Sequence, residues 1–195
     1  APDGKSVLAG DLFGLVREFD AASGKVLRTF EVKELYKYDR IQDVGGVKCL
    51  LLSGDGKTLF AAGGVPKNGA TVQGLPTVVA FDLASGKRLS QYQGDSTVES
   101  CVTDLAWHPG GFVIFTTSGT PGSGKFYFWK PGEATAHFAG GKAPNCHSVA
   151  VRPGGETFAV SATNAGSNGN GRVKGKMGEY PQNNSPIQLW ALPKL

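Results

Sequence analysis

One short turn recurs along this chain, and its neighbours recur with it. APDGK (1–5), LSGDGKTLF (52–60), WHPGGFVIF (107–115) and VRPGGETFAV (151–160) each place a glycine-rich turn ahead of an apolar stretch. The last three also follow one: VKCLLL (47–52), VTDLAW (102–107) and HSVAV (147–151). A further apolar segment then ends in an aromatic, in LVREFD (15–20), TVVAFD (77–82), KFYFWK (125–130) and PIQLWA (186–191). Two of these run through AASGK or LASGK into VLRTFEV (26–32) and RLSQYQG (88–94). Such self-similarity constrains the fold before any single motif does.

The units recur every ~44–62 residues, and each spells four short strands joined by turns. Composition agrees: 29 glycines, 11 prolines and only 18% charged residues suit turns and strands rather than helices. No segment sustains a helical apolar period, and EVKELYKY (31–38) predicts a turn or two of helix at most. A four-stranded sheet cannot bury both its faces alone, so the units must stack around an axis. The expected fold class is therefore all-β, a β-propeller of four-stranded antiparallel blades.

PDGK, the FD-x-ASGK stretches and Trp190 in IQLW resemble the WD40-repeat family. The family's Trp-Asp pair is represented by Phe19-Asp20 and Phe81-Asp82, and becomes Trp129-Lys130 and Trp190-Ala191. The resemblance is to degenerate repeats of bacterial type. Quinoprotein and lactonase-type propellers share the D-x-ASGK turn. With strands a to d counted outward from the axis, a partial blade is expected over 1–32, lacking its a strand. Complete blades follow over about 47–94 and 101–139, and a last one over about 146–195 lacks its outer strand. That arrangement is expected of the C-terminal half of a seven- or eight-bladed ring, whose remaining blades belong to the same parent chain; the alternative is a compact four-bladed ring, which fits less well because the two partial blades duplicate b and c.

SGTPGSGKFYF (118–128) imitates a phosphate-binding loop through Gly119, Gly124 and Lys125. That loop works only where its glycines open a helix and a hydroxyl follows the lysine. Here Phe126 takes the hydroxyl's place, and Phe126–Trp129 ahead of Pro131-Gly132 predicts a strand. The stretch is a b–c connection.

Propeller a–b and c–d turns share one face, and here they are short: PDGK, GDGK, PGGF, PGGE and two ASGK. The opposite face carries 31–46, 63–76, 118–124 and 164–185, which are long and varied. Variation of that kind is tolerated in loops and is where binding surfaces arise. Candidate partner-binding residues are Tyr36, Tyr38, Asp39 and Arg40 in the first, and Lys67 in the second. In the longest, Arg172, Lys174 and Lys176 alternate with uncharged residues ahead of Tyr180. A solvated loop is the alternative for that basic arm.

A net charge of +4 without a basic stripe argues against nucleic acid, and no apolar run suggests membrane insertion. Cys49, Cys101 and Cys146 show neither disulfide nor zinc spacing, and small buried apolar roles are expected for them. His108 is expected in a surface turn and His137 on an outer strand. His147 stands beside Cys146 on an inner strand, where adjacent side chains point apart and cannot form a nucleophile pair. Asp104 and Asp43 could line the channel, or bond neighbouring backbone. Two readings follow: a non-enzymatic, cofactor-free scaffold binding a protein through the long-loop face, or a lactonase- or quinoprotein-type propeller with a metal or substrate site at the channel.

Overall fold

The computed structural model describes residues 1, 3–68, 73–163, 172–173, 176–178, 182–183 and 185–192. Strands β1 (Ser6–Gly10), β2 (Leu15–Asp20) and β3 (Val26–Glu31) form the first sheet. A hairpin, β4 (Tyr36–Asp39) and β5 (Gln42–Gly45), precedes the second sheet. That sheet joins β6 (Val47–Leu52), β7 (Thr58–Asn68), β8 (Gln73–Asp82) and β9 (Arg88–Gln93) in sequence order. The third joins β10 (Cys101–His108), β11 (Phe112–Ser118), β12 (Phe126–Trp129) and β13 (Phe138–Gly140). In the fourth, β14 (Ser148–Val151) and β15 (Thr157–Ser161) pair on to β18 (Ile187–Ala191). Between the last two lies a two-rung ladder of β16 (Arg172–Val173) and β17 (Gln182–Asn183). Every one of these pairings is antiparallel.

Side-chain alternation along the strands explains the stacking. Leu59 and Ala61 of β7, with Val79 and Phe81 of β8, pack on Val16 and Phe30 of the first sheet. Their neighbours Phe60, Ala62, Val78 and Ala80 point the other way, on to Val113, Phe115, Tyr127 and Trp129 of the third sheet. The alternate residues Phe112, Ile114, Phe126 and Phe128 then meet Val149, Phe158 and Val160 of the fourth. Each buried Val, Leu, Ile or Phe among them contributes ~1.5–3 kcal/mol. Burial on both faces is why LFAA (59–62) and FVIF (112–115) are apolar without a break. The outer sheets are covered on one face: Val7 and Leu27 remain 56% and 55% exposed, Ile187 and Leu189 72% and 79%.

The turns are set by local chemistry. Asp20 Oδ1 accepts Ser23 N–H and Oγ–H at 2.7 and 2.6 Å, and Asp82 repeats both bonds with Ser85. These bonds hold both carboxyls below the usual carboxylate range.

The structure corrects three expectations. Segment 31–46 is an ordered unit: a 3-10 turn, Lys33–Leu35, and the β4–β5 hairpin. Most of 63–76 is ladder, since β7 and β8 keep pairing from Gly63↔Thr77 to Asn68↔Gln73. His108 is buried instead of lying in a surface turn, because the turn of the fourth sheet covers it and Phe112 stacks on it at 4.1 Å. Its Nδ1 accepts Gly110 N–H at 3.0 Å, so Nε2 carries the proton and donates to Gly155 O at 2.9 Å. The side chain thus clasps the third sheet to the fourth. His108→Ala is expected to lower unfolding stability by ~1–3 kcal/mol, measured by urea titration, since it strands a buried carbonyl.

Candidate protein-interaction face

The β1–β2, β7–β8 and β11–β12 connections share one end of the sheets with the segments that pass from each sheet to the next. These connections interlock. Gly46 N–H donates to Leu35 O at 2.8 Å, closing the 3-10 turn on to the β4–β5 hairpin. Gly45 (φ +96°) lies against the Leu35 carbonyl and Pro66, where no Cβ fits. The projecting end of β7–β8 packs in turn on the next segment: a Cβ on Gly64 would collide with the Ser100 carbonyl oxygen. From there Val98 O accepts Thr120 N–H at 2.8 Å and Ser123 Oγ–H at 2.9 Å. Asn145 continues the chain, accepting Gly122 N–H at 2.8 Å and donating to Thr163 Oγ1 at 2.6 Å.

A buried carboxylate fastens this rim to the third sheet. Glu99 accepts Thr117 Oγ1–H at 2.8 Å and the Tyr127 hydroxyl, and pairs with Lys125 Nζ at 2.8 Å. Burial, then the hydrogen bond to Glu99, push the Tyr127 phenol far above its ordinary value. Burial, with Glu99 adding to it, pushes Tyr92 up to about 12.

The inner strands are committed to structure. Asp104 accepts Leu105 N–H at 2.9 Å and Val149 N–H at 3.0 Å, tying β10 to β14. Burial raises all three thiols, Cys146 to about 11, away from the reactive thiolate. Cys146 is buried and His147 exposed, and both precede β14, which starts at Ser148, instead of standing on that inner strand. Among the described residues no group of three His, Cys, Asp or Glu could hold a metal ion.

Four of the predicted residues share the β4–β5 hairpin. Tyr36 is half-buried, its hydroxyl donating to Asp43 at 2.8 Å, while Tyr38 is 63% exposed. Asp39 pairs with Lys37 at 2.9 Å, and Arg40 is exposed at the hairpin tip. Lys67 is exposed on β7, next to the Pro66 that touches this hairpin. Arg172 lies in the β16–β17 ladder and Lys176 is exposed, on the β15–β18 connection of the last sheet. Lys174 and Tyr180 fall outside the described residues. Three apolar neighbours were missed. Phe13 is 51% exposed and meets Tyr36 edge-on at 5.3 Å, Leu12 is 43% exposed beside Gly46, and Ile41 is 92% exposed. Leu12-Phe13 inside the short β1–β2 connection was the available signal.

Among solved structures, the chain is similar to the β-propeller domain of Cps50 (Swd1) from Myceliophteria thermophila. The TM-score is 0.61 at 14% identity, over 97% of this chain and 48% of that one. The fold is a β-propeller. Its sheets are the blades, and this chain spans about half the length of the matched propeller chain. No protein-family model and no curated protein matches the sequence.

Two outcomes test the rim. Gly64→Ala is expected to cost ~1–3 kcal/mol, read by urea unfolding, and to speed amide exchange over 97–101. Tyr92 and Tyr127 favour the neutral phenol in the fold, so their contribution is complete below pH 10 and declines above it, that of Tyr92 being lost as pH rises through about 12 and that of Tyr127 later. Stability measured across that window should fall, and Tyr92→Phe should flatten the decline.

Proposed function

We propose that this chain is part of a non-enzymatic scaffold that binds a protein partner through the face bearing the β4–β5 hairpin. The observation that carries this reading is the exposure of Tyr38 and Ile41 on the ordered β4–β5 hairpin, with exposed Phe13 and Leu12 against its Tyr36 and Gly46 base. Aromatic and aliphatic side chains held on rigid backbone supply contact area at low entropic cost. Arg40 and Lys67 add positive charge at its edge. The basic residues Arg172 and Lys176 of the β15–β18 connection supply a second contact. WD40 propellers are typically non-enzymatic scaffolds, which supports the same assignment. The alternative, a metal or substrate site at the channel, draws no support from Asp104, whose oxygens hold backbone amides.

Further blades of the parent chain complete the ring, to a total of seven or eight. Two observations support this: the exposed apolar faces of the first and last blades, and the match to half of another propeller chain.

A photo-crosslinking residue placed at Tyr38, and separately at Lys57 on the short-turn face, tests the assignment. Crosslinked protein at position 38 and not at 57 is expected. Tyr38→Ala combined with Arg40→Glu should then weaken binding of that protein by at least ~tenfold, about 1.4 kcal/mol. Equal capture at both positions, or unchanged affinity, would count against this face.

A further inference from the structure

The β4–β5 hairpin carries an edge strand whose sequence fits one occupant. Its two strands make a sheet of their own, so among the described residues neither pairs with a third. The base of the hairpin is held: Gly45 lies against Pro66 of β7, and Gly46 against Leu12. Towards the tip that cover ends, and Lys37, Tyr38 and Arg40 are exposed.

Ladder alternation fixes which backbone groups of β4 face outward. The two-residue turn Arg40-Ile41 is closed by the pair Asp39↔Gln42, and at the base Gly46 N–H donates to Leu35 O. Hydrogen-bonded pairs fall at every second position, so Asp39↔Gln42, Lys37↔Val44 and Leu35↔Gly46 carry the bonds. Tyr36 and Tyr38 therefore turn their N–H and C=O away from β5. The Tyr36 N–H is taken by Lys33 O. Tyr38 keeps both groups for a further strand, and among the described residues no backbone group outside the hairpin reaches them. An edge of this kind recruits another strand.

The side chains say which strand. Tyr36-Lys37-Tyr38-Asp39-Arg40 is complementary to itself when two copies run antiparallel about Tyr38. Tyr38 then meets Tyr38 of the second copy as a hydrogen-bonded pair, the register that its outward groups permit. Lys37 stands opposite Asp39 of the second copy, and Asp39 opposite its Lys37. These two residues share one face of β4 and already pair at 2.9 Å, so the seam gathers four charges of alternating sign. Tyr36 stands opposite Arg40 of the second copy, an aromatic ring facing a guanidinium. A patch that matches its own copy at every position is the condition for a closed two-fold dimer.

We infer that β4 pairs antiparallel with β4 of a second copy of this chain, about a two-fold axis at Tyr38, so that the two hairpins join into one four-stranded sheet. This rests on the reading of the hairpin as the interaction face, and it names the protein bound there.

The test uses the full chain, in which sedimentation velocity should show a dimer. Lys37→Asp sets like charges opposite each other along the seam, and so does Asp39→Lys. Each alone should raise the dimer Kd by at least ~tenfold. Mixing the two variants opposes acid to base again and should return the heterodimer to the original affinity, a recovery that misfolded variants could not give. Tyr38→Cys should form an intermolecular disulfide, since directly opposed residues lie ~5.5 Å apart. Ile41→Cys, at the 92% exposed tip, lies beyond that reach and should not. A monomer at every concentration, a dimer indifferent to both charge variants, no recovery on mixing, or equal linkage at Ile41 would each overturn the inference. A photo-crosslink from Tyr38 to a different protein, with none to a second copy, would overturn it while upholding the interaction face. The two proposals therefore fail separately.

Discussion

A sheet of short strands with apolar side chains on both faces has one way to leave water: another sheet must lie on each side. The second and third blades meet that requirement through alternation alone. Phe60 looks towards one neighbour and Leu59 towards the other, and Phe115 and Ile114 divide in the same manner. Stacking then dictates the rest. Aligned sheets bring turns of one kind to one end and connections of the other kind to the opposite end. Any elaboration of those connections therefore lands on the same side.

Elaboration would ordinarily cost order. Here the connections are stiffened by their neighbours: the β4–β5 hairpin leans on Pro66, the β7–β8 extension on Ser100, and the next two segments on Val98 and Asn145. Backbone carbonyls make most of these contacts, which explains the small residues where segments cross. Glu99 joins this rim to the blade interior through Thr117, Tyr127 and Lys125. Its charge is buried but balanced, the condition under which such a group can be tolerated. Tyr38 and Phe13 consequently stand on a fixed platform.

Much of this was legible in the sequence wherever one residue's neighbours decide its conformation. VKCLLL is strand β6 over the predicted residues, and the ASGK turns form because Asp20 and Asp82 find Ser23 and Ser85 three residues on. The imitation phosphate loop leads into strand β12, as its aromatics required. What stayed hidden depends on distant partners. Gly63, Gly64, Pro66, Gly74 and Pro76 spell a loop, yet packing against Ser100 and Gly45 keeps them in a ladder. The β4–β5 hairpin turns through Arg40 and Ile41 with φ of +48° and +64°, residues that carry none of the usual hairpin signal. His108 precedes a proline in a glycine-rich turn, and only Gly155, far along the chain, makes it a buried clasp. Phe13 carries no local signal, because its partner Tyr36 lies two strands further along the chain.

Native-state amide exchange, followed residue by residue with denaturant, measures the central claim most directly. If two-sided stacking holds the molecule together, the amides of Leu59–Ala62 and Val113–Phe115 exchange only through global unfolding. Those of Ile187–Ala191, covered on one face, open with a lower free energy. Equal protection throughout, or slowest exchange in the last strand, would contradict the account.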